Sequence, residues 1–151
     1  MWKFIGGFVC GSIFTVVVGG LAAFVFLIHE LPNVTSSMTC APSAEVGEPV
    51  ELSVTATNDH DEALVLNAID IDEAFLEGFQ VTSVDPEPIE ESRSFGMRRW
   101  TFGRDVEPGE TVEVTFTMNA AIPGHYVGDV DVCNPNEDFT THVADVVVSD
   151  E

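Results

Sequence analysis

Residues 50–58 read VELSVTATN and residues 111–118 read TVEVTFTM, and these two stretches decide the fold. In both, apolar residues alternate with polar or charged ones. The apolar set is Val50, Leu52, Val54, Ala56, Val112, Val114, Phe116 and Met118. A period of two predicts a β-strand with one buried face. Turn-forming residues precede both stretches at 47–49 (GEP) and 107–110 (EPGE), and Asn58 closes the first.

Further strands are predicted from similar runs bounded by turn residues. They cover 34–40, 63–71, 80–84, 95–102, 125–133 and 139–148. Residues 72–79 predict one helical turn, with Asp72 as N-cap and Gly78 at its end. Residues 85–92 are interpreted as a polar loop. Seven to eight short strands with frequent turns are typical of an all-β fold, an antiparallel β-sandwich.

The N-terminal part of the chain has a different character. Residues 4–28 form an uncharged run of 25 residues, FIGGFVCGSIFTVVVGGLAAFVFLI. As a helix this run would be about 37 Å long, enough to cross a hydrocarbon core of about 30 Å. Lys3 before it favours a cytoplasmic N-terminus. A cleaved signal peptide is the alternative, but the small pair Ala22-Ala23 lies inside the apolar run instead of after it.

This interpretation divides the chain into four parts. Residues 1–3 are expected in the cytoplasm and 4–28 as one transmembrane helix. Residues 29–42 form a juxtamembrane segment with the first strand, and 43–151 the sandwich outside the cytoplasm. The expected location is the cell membrane, which the chain crosses once.

The charge of the chain excludes some partners. The 151 residues include 26 acidic and 5 basic ones, a formal net charge of −21. All 26 acids and four arginines follow residue 28, which gives that part −22. Nucleic acid and anionic lipid headgroups require a basic surface, so neither is expected to bind. Such an acid excess is also typical of proteins from saline habitats.

Small residues recur every four positions in the predicted anchor. They are Gly7, Gly11, Thr15, Gly19 and Ala23. On a helix this spacing forms one narrow stripe that permits close packing of a second transmembrane helix. The alternative is that the spacing is incidental. The strongly acidic part favours a different membrane protein over a second copy as the packing partner.

The order of the turn motifs resembles the immunoglobulin-like repeat domains of bacterial and archaeal surface proteins, including the CARDB-like group. The resembling elements are Gly47-Glu48-Pro49-Val50, Asn58, Leu76-Glu77-Gly78, Val84-Asp85-Pro86, Trp100, Pro108-Gly109-Glu110 and Pro123-Gly124-His125-Tyr126. The resemblance covers about residues 43–148. It implies an immunoglobulin-like sandwich and a non-catalytic role, and it carries over no active-site residues. The single copy, the membrane anchor and the two cysteines depart from those domains.

Cys40 and Cys133 are the two cysteines outside the apolar run. In an oxidising compartment a pair of this kind predicts a disulfide, and two separate thiols are the alternative. Cys133 shares the strand parity of Asp129 and Asp131, which favours a link on the surface.

A metal site is a weaker alternative. Cupredoxins are also sandwiches, and His125, Cys133 and His142 could supply the two histidines and cysteine of a copper centre. No methionine follows Cys133 as an axial ligand. Acidic runs at 59–62, 70–73 and 137–138 suggest calcium, but none has the spacing of an EF-hand loop. A solvated acidic surface is the preferred interpretation, and no cofactor is expected.

The arginines lie close together in the sequence, among aromatic residues. They are Arg93, Arg98, Arg99 and Arg104. Arginine and aromatic residues dominate binding hot spots, so this window is a candidate docking patch. The alternative is local pairing with Glu90, Glu91 and Asp105. Strand parity places Trp100 and Phe102 on one face, which is expected to be the core.

The sequence contains no nucleophile–base motif, so we do not expect an enzyme. The preferred function is a membrane-anchored binding or structural module outside the cytoplasm, such as an accessory subunit of a membrane complex. The alternative is a cupredoxin-like metal or electron carrier.

Overall fold

A computed structural model describes residues 32–150. The predicted transmembrane helix at 4–28 and its stripe of small residues lie outside these residues. Within residues 32–150, no helix is long and apolar enough to span a membrane.

The described residues fold into ten strands and one short helix. The strands are β1 (Thr35–Cys40), β2 (Ser43–Glu45), β3 (Pro49–Thr57), β4 (Leu64–Asp72), β5 (Phe79–Asp85), β6 (Glu90–Ser94), β7 (Met97–Val106), β8 (Thr111–Ala120), β9 (Gly124–Cys133) and β10 (Phe139–Ser149). The helix α1 spans Glu73–Leu76. The all-β sandwich was predicted, but with seven to eight strands: β2 and β6 were missed.

The strands form two sheets. The first has four strands in the order β1-β3-β8-β5, and the second has six in the order β2-β10-β9-β4-β7-β6. Pairing is antiparallel except between β2 and β10, which are parallel. The fold is therefore not a purely antiparallel sandwich. The chain changes sheet between β1 and β2, and this change places β2 beside the C-terminal end of β10.

The alternation of apolar and polar residues in β3 and β8 marks one buried face on each strand, as predicted. The eight alternating apolar residues of the two strands are all buried, and the strands pair in register, with Leu52 opposite Phe116. Trp100 and Phe102 of β7 reach the core from the second sheet, as expected, and Trp100 packs edge-on against Phe116. Two apolar faces thus meet between the sheets, and their removal from water is the main stabilising contribution.

Several element boundaries differ from the predictions, including those of β7 and of the sandwich itself. Strand β7 starts at Met97, because Phe95 and Gly96 form the turn that follows β6. At the other end, Val34 is buried in the core and β1 pairs with β3 over its whole length. The sandwich therefore begins before residue 43.

Candidate binding groove between two sheet edges

The two sheets leave an opening where β5 ends the first sheet and β6 ends the second. A groove of about 560 Å³ separates these edges. Val81–Val84 of β5 line one side. Glu87–Glu91, together with Arg98 and Trp100, line the other. The volume lies in the range of binding pockets for small molecules and short peptide segments.

The register of β6 against β7 determines which side chains face the opening. Glu91 is paired with Trp100, and Arg93 with Arg98. Paired residues lie on the same face of a sheet. Because Trp100 points into the core, Glu91, Arg93 and Arg98 lie on the inner face as well. The inner face of the second sheet extends past β5. No strand of the first sheet packs against that part, and polar side chains cover it.

Arg98 covers the apolar floor of the groove. Its guanidinium carbon lies 4.9 Å from the ring centroid of Trp100, a cation–π geometry. Its Nη2 lies 2.6 Å from the Glu91 carboxylate. The guanidinium is therefore held by the ring below it and the carboxylate beside it, and Trp100 is only 1% exposed.

A second depression of about 320 Å³ continues from the first. It is lined by Glu73, Leu76, Glu77, Phe79, Arg93 and Arg98. Arg98 belongs to both depressions, and Arg93 lies 3.4 Å from Glu73 of α1. We refer to the two depressions together as the edge groove.

Two exposed apolar side chains lie at the two ends of β6, and Ile89 lines the edge groove. Ile89 is 74% exposed, and Phe95 is fully exposed at the tip of the β6–β7 hairpin. Phe95 has a φ of 52° and Gly96 one of 79°. Two positive φ angles in a two-residue hairpin turn favour Asn-Gly, and a bulky residue at the first position is strained. An aromatic residue is thus kept in water at a position that a polar residue would occupy more readily.

The edge groove is acidic. Among residues 32–150, Glu91 and Glu73 pair with Arg98 and Arg93, whereas Glu77, Glu87 and Glu90 form no ion pair. Glu90 is paired with Thr101, so its carboxylate lies on the outer face of the second sheet. A cationic ligand in the groove would therefore find two uncompensated carboxylates, those of Glu77 and Glu87, beside the Arg98 side chain that covers Trp100.

The structure does not bring the four arginines into one patch. Arg93 and Arg98 line the edge groove. Arg99, on the opposite face of β7, donates to both oxygens of Asp70 at 2.8 and 2.9 Å and also bonds Glu137. Arg104 bonds Glu110 at 3.1 Å. Every arginine therefore pairs with a carboxylate, as the alternative interpretation expected. Only Glu91 of the three expected acids is a partner.

The predicted disulfide between Cys40 and Cys133 is not formed, and both are free cysteines. Asn33 bonds the carbonyl of Val132, so the start of this segment lies beside Cys133. Cys40 lies seven residues further along a nearly extended chain, about 23 Å away at the usual strand rise. A disulfide requires Cα atoms within about 7 Å.

Cys133 has the predicted outward parity but is buried. Its Sγ lies 3.8 Å from Asp70 Oδ2 and 4.0 Å from Arg99 Nη2. Burial, and then the negative charge of Asp70, raise the pKa of the Cys133 thiol to about 12. Burial also raises the pKa of Cys40. Both sulfurs are therefore protonated near neutral pH, and neither is suited to nucleophilic or redox chemistry.

The residues of the copper alternative do not converge. His125 and Cys133 lie at opposite ends of β9. His125 bonds Asp145 at 2.7 Å, whereas His142 bonds Ser36 at 2.8 Å. The structure therefore does not support the copper site proposed from these residues. Within residues 32–150, no three or more His, Cys, Asp or Glu side chains are grouped to hold a metal ion.

Sequence reasoning missed the edge groove. Its second wall includes residues 87–91, which lie within the segment 85–92 interpreted as a polar loop, and β6 begins inside that segment. The available signal was Ile89, a single large apolar residue in an otherwise polar segment.

Comparison with solved structures identifies the fold. A cohesin module from a Clostridium perfringens family 33 glycoside hydrolase is 13% identical with a TM-score of 0.54, over 80% of this chain and 100% of that one. The CARDB domain of a Pyrococcus furiosus protein, crystallised with two metal ions, is 17% identical with a TM-score of 0.51, over 80% and 90% of the two chains. The sporulation control protein Spo0M of Bacillus subtilis is 15% identical with a TM-score of 0.52, over 79% and 50%.

These similarities confirm the predicted CARDB-like, immunoglobulin-like fold. At such low identity they concern the fold alone. No known protein family matches the chain. No curated protein matches it either.

Proposed function

We propose that this chain is a non-catalytic binding module, held in the cell membrane by one N-terminal helix with its sandwich outside the cytoplasm. It binds another membrane protein or a surface component through the edge groove, as an accessory subunit of a complex. The uncharged run at residues 4–28, preceded by Lys3, supports the anchor. The absence of a nucleophile–base motif from the sequence supports a non-catalytic role.

The observation that carries the proposal is the combination of features at the edge groove. An opening of about 560 Å³ is lined by Val81, Val84 and the exposed Ile89, and Arg98 lies in it over Trp100. The edge groove also contains carboxylates without cationic partners. Exposed apolar residues around a polar-rimmed depression are typical of protein-binding sites.

The test is affinity purification of the tagged full-length chain from gently solubilised membranes of its native cells. A photo-reactive amino acid at position 89 is expected to cross-link a specific protein, and the same group at position 51, on the outer face of the first sheet, is not. A chain that purifies alone and cross-links nothing from position 89 would refute the binding role. Gly11→Leu and Gly19→Leu variants show whether the anchor adds a contact, by weaker co-purification.

Topology is tested separately. Protease added to cells stripped of any wall should digest the sandwich and leave the N-terminal part in the membrane, because the sandwich is proposed to lie outside. Full protection, or a mature chain that starts after residue 28, would contradict the anchored arrangement.

A further inference from the structure

We infer that the edge groove accepts an extended strand of a partner protein, which adds to the free edge of β5 and carries lysine or arginine beside apolar side chains. This inference rests on the proposed function, since it names the partner class of the same groove. In this binding mode main-chain hydrogen bonds supply affinity and side-chain pockets supply specificity.

Strand β5 is the edge best suited to pairing. A sheet edge carries unpaired backbone N–H and C=O groups, and charged side chains usually protect it. Residues 80–84 of β5 read QVTSV and carry no charge. By contrast, β6 reads EESRS, with all five residues exposed.

The other two edges are less available. Strand β2 has three residues. Strand β1 is uncharged, but it lies against the second sheet, where Ser36 bonds His142 of β10 at 2.8 Å. Among the edges of the described sandwich, β5 therefore combines an uncharged stretch at residues 80–84, followed by Asp85, with open space beside it.

The groove offers sites for the side chains of an added strand. Such a strand would lie about 4.8 Å beyond β5, with alternate side chains on opposite faces. Those that face inward would lie over Arg98 and Trp100, with Val81 and Val84 on one side and Ile89 on the other. A fifth strand in the first sheet would thus cover the inner face of β6 and β7 that now extends past β5.

Charge defines the partner's chemistry. Glu77 and Glu87 line the edge groove and form no ion pair within the described residues, so basic side chains next to the apolar ones would be stabilised. A second copy of this chain is a poor occupant, because it would bring another net charge of −21. The inferred occupant is therefore a basic, apolar segment of a different protein.

The probe for the test is a capped peptide, Lys-Lys-Thr-Val-Thr-Val-Thr-Lys-Lys, added to the full-length chain in lipid nanodiscs. Backbone amides of residues 80–85 are expected to become protected from hydrogen exchange. Alternate N-methylation of the peptide removes the donors of one strand edge, so it should abolish that protection. Replacement of its lysines by glutamate should weaken binding at least about tenfold.

Two variants of the protein distinguish binding at the edge groove from general attraction to the acidic surface. Glu77→Lys/Glu87→Lys should weaken peptide binding about tenfold or more, whereas Glu51→Lys/Glu113→Lys makes the same charge change on the outer face of the first sheet and should have little effect. Equal loss in both variants would show non-specific attraction. That result would overturn the inference, as would protection at another strand edge or no binding at millimolar peptide.

Failure of this inference can be distinguished from failure of the proposed function. If position 89 cross-links a specific protein in membranes while β5 gains no protection from the peptide, the binding role stands and strand addition is wrong. If the chain purifies alone and cross-links nothing, the proposed function itself fails.

Discussion

At the scale of single residues, Asn58 is a buried polar group with several hydrogen bonds. It is fully buried at the end of β3. Its side-chain Nδ2 donates to the carbonyls of Glu62 and Val106, both at 2.8 Å, and its Oδ1 accepts from the His60 amide at 2.9 Å. Its backbone bonds Gly109 and Glu110. The Asn58 side chain therefore connects the loop after β3 to the end of β7, and its backbone connects to the turn before β8.

Asn58→Ala should lower the free energy of unfolding by about 3 kcal/mol, because the buried carbonyl of Val106, the carbonyl of Glu62 and the amide of His60 lose their partner. Urea denaturation measures the change. Asn119→Ala removes the same group from an exposed position on β8 and should change it by less than about 0.5 kcal/mol. A loss below about 1 kcal/mol at Asn58 would mean that water replaces its bonds.

At the scale of elements, α1 depends on packing. It has four residues, too few for a stable isolated helix. Asp72 caps it as predicted, with Oδ1 accepting from the Ala74 amide at 2.9 Å. The helix lies against β9 at Gly128, where an added Cβ would come within 2.6 Å of the Phe75 Cβ and 2.9 Å of the Asp72 Cβ. Only glycine allows this approach.

Gly128→Ala should therefore destabilise the sandwich by about 1–3 kcal/mol, since both opposing atoms are fixed to the backbone and cannot rotate away. Thermal unfolding followed by circular dichroism is the measurement. Val127→Ala, at the exposed neighbouring position of β9, is the control and should have little effect. If Gly128→Ala unfolds at the wild-type temperature, α1 can shift away from β9 at low cost.

At the scale of the whole molecule, charge dominates. The residues after position 28 carry 26 acids and four arginines. Each arginine already has a carboxylate partner, so most of the acids repel one another. Salt shortens the range of this repulsion from about 30 Å at 0.01 M to about 3 Å at 1 M.

The unfolding temperature of the sandwich should therefore rise by more than about 5 °C between 0.01 and 1 M sodium chloride, because repulsion acts most strongly in the compact state. Calorimetry of the full-length chain measures the shift. In a variant with several exposed glutamates changed to glutamine, the unfolding temperature should rise less with salt. A constant unfolding temperature would show that repulsion is equal in the folded and unfolded chains.

The sequence by itself determined the sandwich, the core positions of β3 and β8, and the cap of α1. The core positions are predictable because burial of one face of a strand imposes a period of two in the sequence. The cap is predictable because the first backbone N–H groups of a helix need an acceptor, which a side chain just before the helix supplies. Both signals lie within a few consecutive residues. The immunoglobulin-like order of turns likewise depends on local glycine, proline and asparagine positions.

Only the tertiary structure decided the rest. All five residues of β6 are exposed, so its sequence does not alternate between apolar and polar residues. It is a strand because it pairs with β7. The presence of two cysteines, Cys40 and Cys133, suggested a disulfide, but the distance between them depends on how β1 passes the second sheet. The edge groove exists because a four-stranded sheet faces a six-stranded one. The number of strands in each sheet and their register bring together residues that are distant in sequence. Local sequence patterns do not show which distant residues become neighbours.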